Sequence, residues 1–105
     1  MPEILEIDST DLQINKDKYI LVDVREPHEL LGPEGQIEDV ILASLGSNLA
    51  HFLTTADPYQ SYVFVCRSGY RSRQACEIAY AYGFHKVYNL KGGMISWQRE
   101  KRALS

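Results

Sequence analysis

Short apolar runs alternate with helical patterns along the whole of this 105-residue chain, and this alternation restricts the fold more than any other feature. Strands are predicted at 3–7, 19–24, 40–42, 62–65 and 86–90, where apolar residues cluster between turn residues. Helical spacing and capping residues predict helices at 9–14, 28–31, 47–53 and 72–82, and after Gly92 and Gly93. We therefore expect an α/β fold with a mostly parallel sheet of about five strands and helices on both faces.

Composition and charge limit the function classes. With 45% hydrophobic residues the chain can fill one core, so residues 1–105 are expected to form a single domain. A net charge of −3 argues against nucleic-acid partners and anionic lipid surfaces. No apolar run reaches the ~18 residues of a membrane span, and the first ten residues lack a basic, apolar leader. We therefore expect a cytoplasmic protein without a membrane partner.

The distribution of charge is more informative than its sum. The segment 26–39 holds five acidic residues and no Lys or Arg, whereas 66–73 holds three arginines and no acid. A locally positive site on an acidic body suits a small anionic ligand.

Cys66 is the candidate nucleophile because of its place between a predicted strand and a predicted helix. Ligand sites of parallel sheets lie at the carboxyl ends of strands. A polar loop that enters a helix there collects backbone N–H groups into an anion-binding nest, which lowers the pKa of a thiol. Gly69 would allow a positive φ, Arg71 would brace the loop or neutralise an anion, and Arg67 would meet ligand and solvent. The alternative is a buried and inert cysteine.

Other candidate residues are open to two interpretations. Asp23 and Arg25, at the end of a predicted strand, either face the pocket or form a structural ion pair. Tyr70 either walls the pocket or shields the loop. Cys76 is expected to be a small buried residue rather than a second reactive thiol. No metal site is expected, because three histidines stand apart from other ligand types: His28, His51 and His85.

Three segments together resemble the single-domain rhodaneses, a family of sulfurtransferases: 21–26 (LVDVRE) with Glu29, 66–72 (CRSGYRS) and 90–97 (LKGGMISW). The resemblance implies a thiosulfate sulfurtransferase without a cofactor. Cys66 would take a sulfane sulfur from a small anionic donor, become a persulfide, and pass the sulfur to cyanide, a thiol or a protein thiol. It also implies that the substrate-binding loop includes Ser68, Gly69, Tyr70 and Ser72, with Gly92 and Gly93 at its rim.

The resemblance has one departure and leaves two alternatives. Where the family usually has Gly-His-Ile-x-Gly-Ala, residues 35–40 read GQIEDV, so the His and the second Gly are missing. Phosphatases and arsenate reductases on this scaffold place Arg six positions after the cysteine, where this chain has Ser72. A non-catalytic or redox-sensing interaction module is the second alternative. An inactive copy would be expected to lose Cys66, whereas a redox sensor would keep its thiol.

Overall fold

Five parallel strands form one sheet in the computed structural model, which describes residues 3–104 without the side chain of Leu104. The strands follow the sheet order β1-β5-β4-β2-β3. Their bounds are β1 Leu5–Ile7, β2 Ile20–Asp23, β3 Ile41–Leu42, β4 Ser61–Val65 and β5 Lys86–Leu90. The predicted fold class is confirmed, and all neighbouring strands pair in parallel.

Three α-helices lie between strands, namely α1 Ser9–Asn15, α2 Ser47–Thr55 and α3 Tyr70–Ala81, and a fourth, α4 Gly93–Leu104, follows β5. A short 3₁₀ helix at Pro27–Leu31 replaces the predicted helical turn after β2. Within residues 3–104, no helix combines the length and the apolar character needed to cross a bilayer.

Two helix caps and one helix start differ from the sequence-based prediction, in which Ser9 caps α1, Ser47 and Asn48 cap α2, and Ser72 begins α3. Asp8, not Ser9, caps α1, since its carboxylate accepts from the backbone N–H of Asp11 at 2.8 Å. Gly46 occupies the cap of α2 without a side-chain hydrogen bond. Helix α3 begins at Tyr70, two residues before the predicted Ser72, because Gly69 has a φ of +102° and turns the chain into the helix at once.

Each face of the sheet carries its own apolar cluster, because successive strand residues point to opposite faces. Phe64 of β4 and Cys66 just after it belong to one cluster, which also includes Ala75 and Cys76 of α3. Val63 and Val65 belong to the other, with apolar residues from α1 and α4. Helices cover both faces of the sheet. The carboxyl end of the central strand β4 is therefore where a loop can hold functional groups.

Candidate active site

Cys66 follows the last residue of β4 and opens a short loop, 66–69, that leads into α3. The residue is only 1% exposed, and part of its surroundings is the apolar cluster under α3. Its sulfur, however, is surrounded by donors. Sγ accepts from the Gly69 backbone N–H at 3.1 Å and lies 3.3 Å from the Ser72 hydroxyl oxygen. The Cys66 sulfur thus sits in a polar cradle at the start of a helix.

This cradle favours the thiolate. Burial by itself raises the pKa of the Cys66 thiol, but hydrogen bonds outweigh burial, and the pKa lies below its ordinary value of 9.0. The bonds come from the Ser72 side chain and from the backbone N–H groups of Ser72, Gly69 and Ser68. Hydrogen bonds to the sulfur are therefore the main cause of the lowered pKa.

The first turn of α4 fixes the direction of these loop N–H groups. The backbone N–H of Met94 donates to the Cys66 carbonyl at 2.8 Å, and that of Ile95 donates to the Arg67 carbonyl at 3.1 Å. The C=O and N–H of a trans peptide unit point in opposite directions. Holding the Arg67 carbonyl on α4 therefore turns the Ser68 N–H away from α4, and this N–H helps to lower the pKa of the Cys66 thiol.

Arg67 of the loop and Arg71 in the first turn of α3 are each paired with a glutamate from the segment after β2. Arg71 forms a two-pronged ion pair with Glu29, at 2.6 and 2.8 Å, and both side chains are partly buried. The hydrogen bond from Arg71 lowers the pKa of Glu29 from 4.5 to about 2, although burial opposes it. Arg67 meets Glu34 through one contact of 3.2 Å, and its side chain is 55% exposed. Arg71 is thus placed to brace the loop, while Arg67 faces solvent.

Asp23 and Arg25 do not line an open pocket, which corrects the pocket interpretation of the sequence. Both side chains are 0% exposed and form an ion pair at 2.8 Å. Arg25 also donates to the carbonyls of Glu29 at 3.3 Å and Gly35 at 2.7 Å. A buried pair with these extra bonds anchors the segment that carries Glu29, so its link to the site is indirect.

The remaining predicted residues occupy different surroundings. Tyr70 is 72% exposed, so it stands at the surface rather than inside a wall. Cys76 is fully buried, and burial raises the pKa of its thiol to about 12. Both cysteines are free. Gly93, the first residue of α4, lies against the backbone of Cys66 and Arg67. This close approach lets α4 hold the loop.

Sequence reasoning missed Asn89, which lies in β5 and is 2% exposed. Its side-chain amide accepts a hydrogen bond from the Ser72 hydroxyl and donates to the Gly69 carbonyl at 3.0 Å. A polar amide in the middle of a buried strand is the signal that could have identified it, since buried amides need partners.

An open cleft of about 480 Å³ adjoins the loop. Two exposed cations, Lys91 and Arg99, line it beside Ser68, and neither forms an ion pair with any side chain from residues 3–104. The carboxylate of Asp8, also in the lining, is already engaged in capping α1. The other lining residues are Gly92, Ile95 and Ser96. The cleft therefore offers positive charge next to the loop that holds the sulfur.

Known proteins resemble this chain over most of its length. The family model described as Rhodanese-like domain matches residues 7–100. A protein named Sulfurtransferase from Allochromatium vinosum is 37% identical over 98 residues, covering 90% of this chain and 88% of that protein. Thiosulfate sulfurtransferase GlpE from Shewanella oneidensis is 34% identical over 87 residues, covering 82% and 83%. The crystal structure of a rhodanese-related protein from Thermoplasma volcanium has a TM-score of 0.81 and 31% identity, covering 91% and 92% of the two chains.

Proposed function

This chain belongs to the rhodanese-like domain family, and from that membership we propose that it is a sulfurtransferase in which Cys66 carries the sulfur. The observation that supports the proposal most directly is the ring of donors around Sγ, from Gly69 and Ser72. A thiolate is the nucleophilic form of cysteine, and this ring favours it without a separate general base.

The donor in the proposed reaction is thiosulfate. The Cys66 thiolate attacks the outer sulfur of thiosulfate, and a new S–S bond forms as the S–S bond of thiosulfate breaks. Sulfite leaves with the electron pair of the broken bond, so the thiolate becomes a persulfide anion and total charge is conserved. The relationship to a protein named thiosulfate sulfurtransferase supports this donor, as does the solvent-facing guanidinium of Arg67.

The acceptor in the proposed second step is a thiolate or cyanide. It attacks the outer sulfur of the persulfide, the S–S bond on Cys66 breaks, and Sγ leaves as a thiolate. The same N–H groups that favour the Cys66 thiolate also suit the persulfide anion, because both place negative charge in one nest of donors.

The cleft beside Ser68 supports an anionic thiol as the acceptor. Lys91 and Arg99 line the cleft, and neither forms an ion pair with another side chain of residues 3–104, although the helix-capping carboxylate of Asp8 is also in the lining. The N–H of Ser68, which also lines the cleft, helps to lower the pKa of the Cys66 thiol. A thiol that carries carboxylates would gain from these cations as it approaches.

Mass spectrometry after treatment with thiosulfate tests the proposal. We expect a gain of about 32 Da, one sulfur atom, on the peptide that contains Cys66. Release of one equivalent of sulfite should accompany it. Cys76 is an internal control in the same digest, because its thiol is buried with a pKa of about 12.

Cys66→Ser should abolish both the adduct and the sulfite. An unmodified Cys66 in the folded wild-type protein, or an adduct confined to Cys76, would refute the proposal. Turnover of a phosphate ester by the same preparation would favour the phosphatase alternative instead.

A further inference from the structure

The side chain of Asn89 is buried and hydrogen-bonded through both ends of its amide, and the proposed reaction gives it no role. Its Nδ2 group donates to the Gly69 carbonyl at 3.0 Å and to the Glu6 carboxylate at 3.2 Å. Its Oδ1 atom accepts from the Ser72 hydroxyl. The Ser72 oxygen lies at the same time 3.3 Å from the Cys66 sulfur. Asn89, Ser72 and Cys66 therefore form a continuous line from β5 to the reactive sulfur.

The orientation of the Asn89 amide follows from its partners. A carbonyl and a carboxylate can only accept hydrogen bonds, so the NH₂ group must face Gly69 and Glu6. Oδ1 is then directed to Ser72, and an amide oxygen can only accept. The Ser72 hydroxyl is consequently the donor in its bond with Asn89.

Ser72 has one hydroxyl proton and two acceptors that compete for it, Oδ1 of Asn89 and Sγ of Cys66. We propose that Asn89 is a positioning residue that holds this proton while Sγ is uncharged and releases it to Sγ when Sγ becomes an anion. The change is a rotation of the Ser72 hydroxyl, and no proton leaves the Ser72 oxygen.

The two arrangements match the states of the sulfur. With a Cys66 thiol, S–H donates to the Ser72 oxygen, and the Ser72 hydroxyl donates to Asn89, so each group has a partner. With a thiolate, the Ser72 hydroxyl turns to Sγ, and Oδ1 loses its donor. In the persulfide that the proposed function forms, Sγ is uncharged, so the proton returns to Asn89. When the outer sulfur is transferred, Sγ becomes an anion again, and the Ser72 hydroxyl turns back to donate a hydrogen bond to it.

Asn89 should therefore oppose ionisation of Cys66 slightly, because the thiolate deprives Oδ1 of its donor in a buried place. The charged groups around this line are Glu6 on the Asn89 side and the Arg71–Glu29 pair at the start of α3. The buried Asp23–Arg25 pair follows β2, the strand next to β4. None of these charged groups takes part in the hydrogen bond between Asn89 and Ser72. Mutating Asn89 or Ser72 therefore tests the competition for the Ser72 hydroxyl separately from their charges.

A double-mutant cycle on the complete chain tests the proposal, with the pKa of Cys66 read from the pH dependence of its alkylation by iodoacetamide. Asn89→Leu keeps the size of the side chain and removes its acceptor. We expect the pKa of Cys66 to fall by about half a unit in Asn89→Leu. Because the thiolate fraction then rises roughly threefold at pH values below the pKa, alkylation there should be roughly threefold faster. Ser72→Ala should raise the pKa, and Asn89→Leu should have no effect in the Ser72→Ala background.

If Asn89 acts only by holding the Gly69 carbonyl, Asn89→Leu should shift the pKa of Cys66 by the same amount with and without the Ser72 hydroxyl. That outcome, or a raised pKa in Asn89→Leu alone, would overturn the proposal. Asn89→Ala removes the same acceptor without adding bulk and serves if the leucine variant does not fold. Alkylation needs no sulfur donor, so the cycle can fail or succeed independently of sulfur transfer.

Discussion

Gly93 lies so close to Cys66 that a Cβ atom on Gly93 would be 2.5 Å from the Cys66 carbonyl oxygen. The same Cβ would lie 2.6 Å from the carbonyl group of Arg67. Because these neighbours are backbone atoms, they cannot turn aside as a flexible side chain could. The absence of a side chain at Gly93 is what allows α4 to donate its first N–H groups to the loop.

Gly93→Ala should therefore displace the loop and lower sulfur transfer at least tenfold, while the sheet still forms. Gly83→Ala is the matched control, since Gly83 also has a positive φ, of +91°, but nothing lies within 4 Å of its Cβ position. Both variants should lose about 1 kcal/mol of stability from left-handed backbone strain. Transfer rates and urea unfolding measure the two effects. Equal activity in both variants would show that the collision at Cys66 is harmless.

Asp39 stands where the family usually has the second glycine, and it takes the conformation that glycine favours. Its φ is +66°, within a turn closed by the Val40 N–H and the Ile37 carbonyl at 3.3 Å. We expect Asp39→Gly to stabilise the fold by about 1 kcal/mol, because glycine adopts this conformation without strain. Glu38→Gly removes the same charge from an exposed neighbour and should not stabilise. Thermal unfolding distinguishes the two, and a destabilised Asp39→Gly would contradict the expectation.

The fold and the place of Cys66 at the end of β4 could be predicted because they depend on local pattern. The strand bounds follow apolar runs, and Cys66 is recognisable from its position between β4 and Gly69. Helix α3 begins two residues earlier than the sequence pattern predicts, because Gly69 itself turns the chain into the helix.

The contacts that complete the site could not be predicted, because they join residues far apart in the chain. Asn89 bonds to Ser72 across 17 positions, and Arg71 pairs with Glu29 across 42. Only the sheet order, with β5 beside β4, brings Asn89 to the loop. The arginines of 66–73 suggest a free positive site, but Glu29 and Glu34 of the acidic segment 26–39 pair with two of them, Arg71 and Arg67.

The Arg71–Glu29 pair should make stability depend on pH in the acid range. The pKa of Glu29 is about 2 in the folded chain, against an ordinary value of 4.5, so the folded state binds this proton less readily than the unfolded state. The stabilisation is therefore complete above about pH 5 and declines as the pH falls toward 2. We expect Glu29→Gln to cost about 1 kcal/mol near neutral pH, since solvent partly screens the pair, and to cost little near pH 2.

Glu34→Gln is the control for this pH dependence. Its partner Arg67 is 55% exposed, so the pair contributes little to stability at any pH. Urea unfolding of the three proteins at several pH values measures the difference. A loss in Glu29→Gln that persists undiminished at pH 2 would mean that the charge of Glu29 is not its cause.

Arg67 should affect binding of an anionic donor more than the chemical step. Arg67→Ala should raise the apparent KM for thiosulfate severalfold with little change in kcat, and added salt should shrink the difference from wild type. Glu34→Gln should act in the opposite direction, because it frees the guanidinium that Glu34 engages at 3.2 Å. Arg73→Ala, an exposed arginine on α3, is the control. An unchanged KM in Arg67→Ala at low salt would remove Arg67 from the substrate site.

The cations of the cleft should select acceptors by charge. With the persulfide formed first, wild-type protein should transfer sulfur to mercaptosuccinate more efficiently than to neutral 2-mercaptoethanol, and least efficiently to cationic cysteamine. In the double variant Lys91→Met with Arg99→Met, the ratio of kcat/KM for mercaptosuccinate to that for cysteamine should fall about tenfold, because no other cation of residues 3–104 lines the cleft. Lys86→Met removes a positive charge at the opposite end of β5 and should preserve the order. If the order survives the loss of Lys91 and Arg99, acceptors reach the sulfur by another route.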